Sequence, residues 1–372
     1  MNKQLEQLKY IKELDGLRAI AVILVIIAHW FPIQLVNEIG FGPIGVEIFF
    51  VLSGFLITRI LLIERFRVES KEDLNRWSII RNFMVRRALR IFPIYYLLLL
   101  GLILIRDFFP NPVFSDFGWY FFYLQNILVY KLQAWPGGKL SHLWTLAVEE
   151  QVYLIWPIIL MFTPLRLMKY ILWFILCFGA ANYIFLDNML IGKSFTDVLT
   201  IACVQGFSVG GLLAYFHLKG TVVFSNISKW FIFSGLIAFL FFLLAVFKIL
   251  PLFIGIRFYI DSMTSGMIAF LLISNDGVLK KYFLGNPLMV GIGKISYGIY
   301  LFHNFIPVLW NAFLKLLGNN GYVIPYVEYR QILVTQGWVF YVQCFFILIL
   351  LTTGSYYLYE RPILKLKERW AR

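Results

Sequence analysis

Apolar runs of about twenty residues recur along nearly the whole chain, and this recurrence restricts the fold more than any other feature. A helix of that length crosses the hydrocarbon core of a bilayer with its backbone groups satisfied internally. Spans are expected near 14–36, 44–63, 91–109, 143–162, 170–187, 198–217, 229–248, 253–274, 287–311 and 337–359. Composition agrees. The 372 residues are 60% hydrophobic and 14% charged, and a soluble domain could not cover so much apolar surface. The expected fold is an all-α polytopic integral membrane protein of about ten transmembrane helices. It is read as a single membrane domain over 1–372, with no cleavable signal peptide, internal repeat or soluble domain.

The net charge of +13 does not point to nucleic acid, because the basic residues lie between the apolar runs. Most of them fall in the N-terminal tail, 64–90, 163–169, 218–229, 275–286 and the C-terminal tail, which predicts both termini in the cytoplasm. Segment 64–90, with Arg76, Arg81, Arg86, Arg87 and Arg90 beside Trp77, Ile80 and Phe83, reads as a basic amphipathic helix on the anionic inner leaflet. The aromatic segment 117–130 reads as interfacial or re-entrant, and the loop 312–336, with Tyr322, Pro325 and Tyr326, as structured. Cys177, Cys203 and Cys344 show no paired or metal-ligand spacing and read as packing residues; no metal site is expected.

Ionisable residues inside the spans need partners or a wet cavity. A rise of 1.5 Å per residue gives each one a depth. Arg18 lies about 6 Å from the inner end of its span and His29 about 10 Å from the outer end, on one face with Asp15. Glu149, Ser53 and His303 come out about 9, 13 and 12 Å below the outer surface, with Asp261 at a similar level. Arg257, one turn before Asp261, is placed to pair with it. His29, Glu149, His303 and Ser53 or Asp261 thus share an outer layer, while Arg18, Arg87, Arg90 and Lys294 lie near the cytoplasmic surface and suit phosphates. Plainer readings stand beside these. Arg18 can snorkel, His29 can bond between helices, Glu47 can be solvated, His217 can be inert, and Ser53-Gly54 can serve close packing.

Six blocks then resemble the acyltransferase-3 family of polytopic membrane enzymes, over roughly 12–366. They are Leu14-Asp-Gly-Leu-Arg18 followed by His29; Gly45-Val-Glu-Ile-Phe-Phe-Val-Leu-Ser53-Gly; Arg87-Ala-Leu-Arg90; Ser141-His-Leu-Trp144-Thr-Leu-Ala-Val-Glu149-Glu150-Gln-Val-Tyr153; Gly293-Lys-Ile-Ser296-Tyr297-Gly-Ile-Tyr300-Leu-Phe-His303; and Tyr359-Glu360-Arg361-Pro362. The resemblance implies transfer of an acyl group, usually acetyl, from cytoplasmic acyl-CoA to a sugar hydroxyl at or beyond the outer face. It implies His29 as catalytic and Arg18, Arg87 and Arg90 as donor-binding. Glu47 stands where the family more often has Asp, and Thr145 where Ser is usual. The chain ends soon after its last span, so the hydrolase-like extracytoplasmic domain of some relatives is not expected.

Together these give an inner-membrane O-acyltransferase with no permanently bound cofactor and acetyl-CoA or another acyl-CoA as donor. The acceptor that the resemblance implies is a cell-envelope or exported sugar or polysaccharide. His29 would be base or acyl carrier, with Glu149 orienting it. Asp15, Glu47, Ser53, His142, Trp144, Glu150, Ser296, Tyr297 and His303 are expected to support the site. A transporter or flippase for a lipid-linked sugar is the alternative, and it would predict broken helices and an internal repeat. Acceptor, acyl length and oligomeric state stay open at this level.

Overall fold

A computed structural model describes residues 10–31, 33–69, 75–104, 116–136, 138–189, 195–250, 255–274, 277–316 and 329–365. The described residues are helical, without strands. In chain order the helices are α1 (Lys12–Trp30), α2 (Gln34–Ile39), α3 (Phe41–Glu69), α4 (Arg76–Leu104), α5 (Phe117–Phe121), α6 (Gln125–Leu132), α7 (Trp144–Phe162) and α8 (Met168–Met189). They continue with α9 (Thr200–Leu218), α10 (Thr221–Val246), α11 (Ile256–Ile273), α12 (Pro287–Lys294), α13 (Ser296–Phe302), α14 (Ile306–Leu316), α15 (Tyr329–Ser355) and α16 (Arg361–Lys365).

Eight helical segments among the described residues are long and apolar enough to cross a membrane. α1 adds a 19-residue helix whose charges, Lys12, Glu13, Asp15 and Arg18, all sit in its first two turns. The acids there face the positive end of the helix dipole. The protein is therefore an all-α, multi-pass membrane protein. α5 and α6 are too short to cross at 1.5 Å per residue, so 117–130 adds no span.

Lipid tails are as apolar as leucine, so these helices are held by close packing and by bonds between polar groups. α3 and α9 show the first device. A Cβ on Gly54 would strike the backbone of Phe207, and one on Gly210 would strike the carbonyl of Val51. Each helix thus seats its bare backbone on the other. Gly54→Val is expected to force the pair apart and to lower the unfolding midpoint in detergent, at a cost of about 1–3 kcal/mol. The plainer reading of Ser53-Gly54 holds for Gly54. Arg65, 2% exposed, shows the second device. It donates to the carbonyls of Leu160 (2.5 Å) and Thr163 (2.6 Å), satisfying the C-terminal end of α7.

Three expectations change. α4 is one continuous helix from Arg76, so 76–90 is the first half of a span and not a separate surface helix. That continuity brings Arg87 and Arg90 into the bundle. The apolar run 287–311 is not one helix but three pieces, α12, α13 and α14. Gly293 lies against the backbone of Asp15, so tightly that a Cβ would collide with its carbonyl, and α12 ends on Ile295 (φ −96°, ψ 7°). α13 ends at His303, whose carbonyl accepts the indole N–H of Trp30 at 3.0 Å. A broken helix in a membrane needs such replacements for its lost bonds. Third, Cys344 is buried as a packing residue, Cys203 is buried but hydrogen-bonded to Arg257 and the Asp197 carbonyl, and Cys177 is exposed. Residues 317–328 of the 312–336 loop, with Tyr322, Pro325 and Tyr326, lie outside the described residues.

Candidate active site

α1, α3, α4, α7 and α13 enclose a cavity of about 710 Å³, open mouth included. Arg18, Arg87 and Arg90 line it, together with Ser53, Thr145, Glu149, Tyr153, Ser296, Tyr297 and Tyr300. Val46, Phe49, Phe50, Leu56, Ile91 and Leu146 supply its apolar wall. Arg87 and Arg90 are three apart on α4 and so point the same way.

The charges are unequal. Arg18 donates to Asp15 at 3.0 Å, and the Tyr10 hydroxyl donates to the other oxygen of that carboxylate. Burial, and then the bond to Asp15, push the Tyr10 hydroxyl above its usual range, which keeps it a donor. Arg87 lies over the rings of Phe83 (5.4 Å) and Tyr153 (5.1 Å). Neither Arg87 nor Arg90 has a carboxylate within ion-pair distance among the described residues. Glu149 accepts from Ser53 (3.0 Å) and Tyr153 (3.2 Å). Three guanidiniums thus face two carboxylates, one of them already paired with Arg18. Such a chamber in a bilayer favours a polyanion.

Three of the chain's four histidines gather at the α13 end. His29 lies 4.9 Å from His303 and 6.5 Å from His142, ring centre to ring centre, and His142 lies 4.8 Å from His303. Their hydrogen bonds fix the neutral tautomers. His29 Nδ1 meets the carbonyl of Val25 at 2.8 Å, and His303 Nδ1 meets that of Tyr300 at 2.7 Å. A carbonyl only accepts, so Nδ1 carries the hydrogen in both rings and Nε2 keeps its lone pair. His303 is fully buried and its Nε2 has no partner. His142 is set the other way. Its Nε2 donates to Leu301 (3.3 Å), and its Nδ1 accepts from the Asn304 amide (2.9 Å). Among the described residues no three His, Cys, Asp or Glu side chains are placed to hold a metal.

Tyr300 is the wall between the two groups. It lines the cavity, and its ring lies 5.4 Å from His142 and 5.7 Å from His303. Its hydroxyl donates to the carbonyl of His142 (2.8 Å) and contacts the Thr145 hydroxyl (2.7 Å). This explains why a hydroxyl is wanted at 145. Tyr300→Phe is expected to cost about 0.5–1.5 kcal/mol, read as a lower unfolding midpoint, by freeing α13 from α7.

The expected site residues therefore divide. Arg18, Arg87, Arg90, Ser53, Glu149, Ser296 and Tyr297 share the cavity, and Asp15 holds Arg18. His29, His142 and His303 form the neighbouring cluster. Glu149 does not orient His29: its bonds run to Ser53 and Tyr153, and His29 is held by its own helix. Trp144 packs its ring on Phe50 at 6.3 Å. Glu150, one residue on from Glu149, points off the cavity and is 8% exposed. Glu47 is not solvated. It is 1% exposed and bonded to Arg257 at 2.9 Å, so Arg257 pairs across helices and not with Asp261. Lys294 sits 5.8 Å from the Tyr10 ring and does not line the cavity. Tyr153 and Tyr300 fall in the family-like sequence blocks but, like Asn304 and Trp30, carried no expected role; the four-residue spacing of Glu149 and Tyr153 was the available sign.

A family model described as an acyltransferase domain matches residues 11–360. The chain belongs to the acyltransferase-3 family. A peptidoglycan O-acetyltransferase, OatA, of Listeria monocytogenes (serovar 1/2a, strain ATCC BAA-679 / EGD-e) is 29% identical over 361 residues, 87% of this chain and 55% of its own length. An O-acetyltransferase, also OatA, of Staphylococcus aureus (strain NCTC 8325 / PS 47) is 29% identical over 370 residues, 90% of this chain and 56% of its own. The chain spans about half the length of the curated relatives it matches. No solved structure matches it. For an acyltransferase-3 member the arginine-lined cavity and the imidazole cluster are the two features to be joined by chemistry.

Proposed function

We propose that this protein is an O-acyltransferase of the cytoplasmic membrane that moves an acyl group, acetyl in the simplest case, from cytoplasmic acyl-CoA to a hydroxyl of a cell-envelope or exported sugar. The observation that carries this reading is the pairing of three cavity-lining arginines with a base cluster just behind the cavity wall. The donor's phosphates take Arg18, Arg87 and Arg90. Its acyl tip extends toward Tyr300 and beyond it to His29. His29 Nε2 removes the proton of the sugar hydroxyl as its oxygen bonds the thioester carbonyl carbon. The C–S bond then breaks, and the imidazolium returns the proton to the departing thiolate, leaving ester and CoA thiol.

The named activities of the Listeria and Staphylococcus relatives point to O-acetylation, and peptidoglycan is one acceptor to test. A second reading, transport of a lipid-linked sugar, gains one observation, the broken α12–α13–α14 segment. Here that break turns His303 and Asn304 into the imidazole cluster, which a transporter does not require. Incubating the purified protein with acetyl-CoA labelled in the acetyl group and with muropeptide or oligosaccharide acceptors tests the choice. Label in the acceptor with release of CoA is expected. Absence of both donor binding and CoA release would favour transport.

A further inference from the structure

A second set of buried charges lies outside the cavity. Glu47 on α3, Gln205 on α9, and Arg257 and Asp261 on α11 are each 5% exposed or less. Four of the five Arg257 donors are committed. Nε goes to Glu47 Oε1 (2.9 Å), Nη1 to the Ala202 carbonyl and Cys203 Sγ (3.2 Å each), and Nη2 to the Asp197 carbonyl (2.7 Å). The Cys203 thiol donates to that same carbonyl at 3.3 Å, so it adds no charge. The Tyr183 ring of α8 covers the guanidinium at 5.4 Å. The Asp197 side chain faces the set from an exposed position, where solvent screens it.

What remains is unbalanced. Two carboxylates meet one guanidinium. Glu47 Oε2 and Asp261 Oδ1 both border Gly206, where a Cβ would stand 3.3 and 3.1 Å from them. Neither oxygen meets a donor in good hydrogen-bond geometry, and neither amide atom of Gln205 meets a partner in good geometry, although Gln205, fully buried, and Glu47 both lie against the Asp261 carboxylate. Two carboxylates are acceptors only, so they cannot satisfy each other. An uncompensated negative charge inside a bilayer is costly. Three buried polar groups from three helices therefore meet at one place that is short of one positive charge.

We propose that Glu47, Asp261 and Gln205 bind one monovalent cation, a proton or a sodium ion, between α3, α9 and α11. A proton would lie between Glu47 Oε2 and Asp261 Oδ1. A sodium ion would take those two oxygens and the Gln205 amide oxygen, all hard ligands. The bound charge neutralises the set and ties the three helices together, independently of whether the cavity transfers acyl groups.

The test uses the full-length protein in detergent. Its unfolding midpoint is followed against sodium, with choline keeping ionic strength constant, at several pH values. Sodium binding predicts a saturable rise that choline does not give. Proton binding predicts a midpoint that rises as pH falls, without a sodium effect. It also predicts a protonated-carboxyl infrared band that shifts in D₂O. Either response should be lost in Asp261→Asn, with Glu47→Gln as the second variant. Glu150 and Glu360 are buried carboxyls as well, so a band supports the proposal only if it weakens in one of the two variants, whereas its absence from wild-type protein rules out the bound proton without any variant. A midpoint insensitive to sodium and no protonated-carboxyl band would overturn the proposal, as would a response that persists in both variants.

Discussion

Replacing both Arg87 and Arg90 with alanine is expected to raise KM for acetyl-CoA by about two to four orders of magnitude, with kcat changed much less. Each guanidinium faces the cavity without a carboxylate of its own, so each is free to make charge-assisted bonds to phosphate. Losing such a bond costs about 1.5–3 kcal/mol. At about 1.4 kcal/mol per tenfold, two losses give that range. The effect belongs in KM because the phosphates are remote from the reacting carbonyl and are gripped alike before and during reaction. Lysine at either position should restore part of the loss, since it keeps the charge but not the two-pronged geometry. Arg87→Ala also uncovers the rings of Phe83 and Tyr153, so its unfolding midpoint should be measured alongside.

His29→Ala is the second large effect. Removing a positioned acid–base group lowers turnover by about 10²–10⁴-fold. The expected result is a fall of that size in kcat with donor binding retained, because His29 is not a cavity-lining residue. His29→Gln should not rescue. It keeps a hydrogen-bonding side chain, but an amide cannot take and return a proton. If His29→Ala instead abolished donor binding while sparing the fold, His29 would belong to the donor grip and the base would have to be sought in His303. That residue holds the other unpartnered Nε2.

The spans were legible because a bilayer imposes one length and one composition on every crossing helix. The failures have physical causes. Arg76 to Arg90 looked like surface sequence because five arginines interrupt the apolar pattern, yet the structure continues them into α4. Three of those arginines lie before the apolar run, while Arg87 and Arg90 turn into a cavity that periodicity cannot foresee. The break after Ile295 depends on Gly293 meeting the backbone of Asp15, nearly three hundred residues away, and on Trp30 capping the His303 carbonyl.

Depth arithmetic put His29, Glu149, Ser53 and His303 at one level, and the structure pairs Ser53 with Glu149 and His29 with His303. It could not separate those pairs, since rise per residue gives height in the bilayer and not angle around the bundle. The same limit explains Arg257. One turn from Asp261 on its own helix, it reaches instead to Glu47 across the bundle.

The central claim is that one substrate bridges the arginine cavity and the imidazole cluster past Tyr300. The most direct measurement is an electron cryomicroscopy map of the protein with a non-reactive thioether analogue of acetyl-CoA. The account predicts phosphate density within hydrogen-bonding distance of Arg18, Arg87 and Arg90, and the acyl tip beside His29. Density for the analogue elsewhere on the molecule, or a tip that stops on the arginine side of Tyr300, would contradict it.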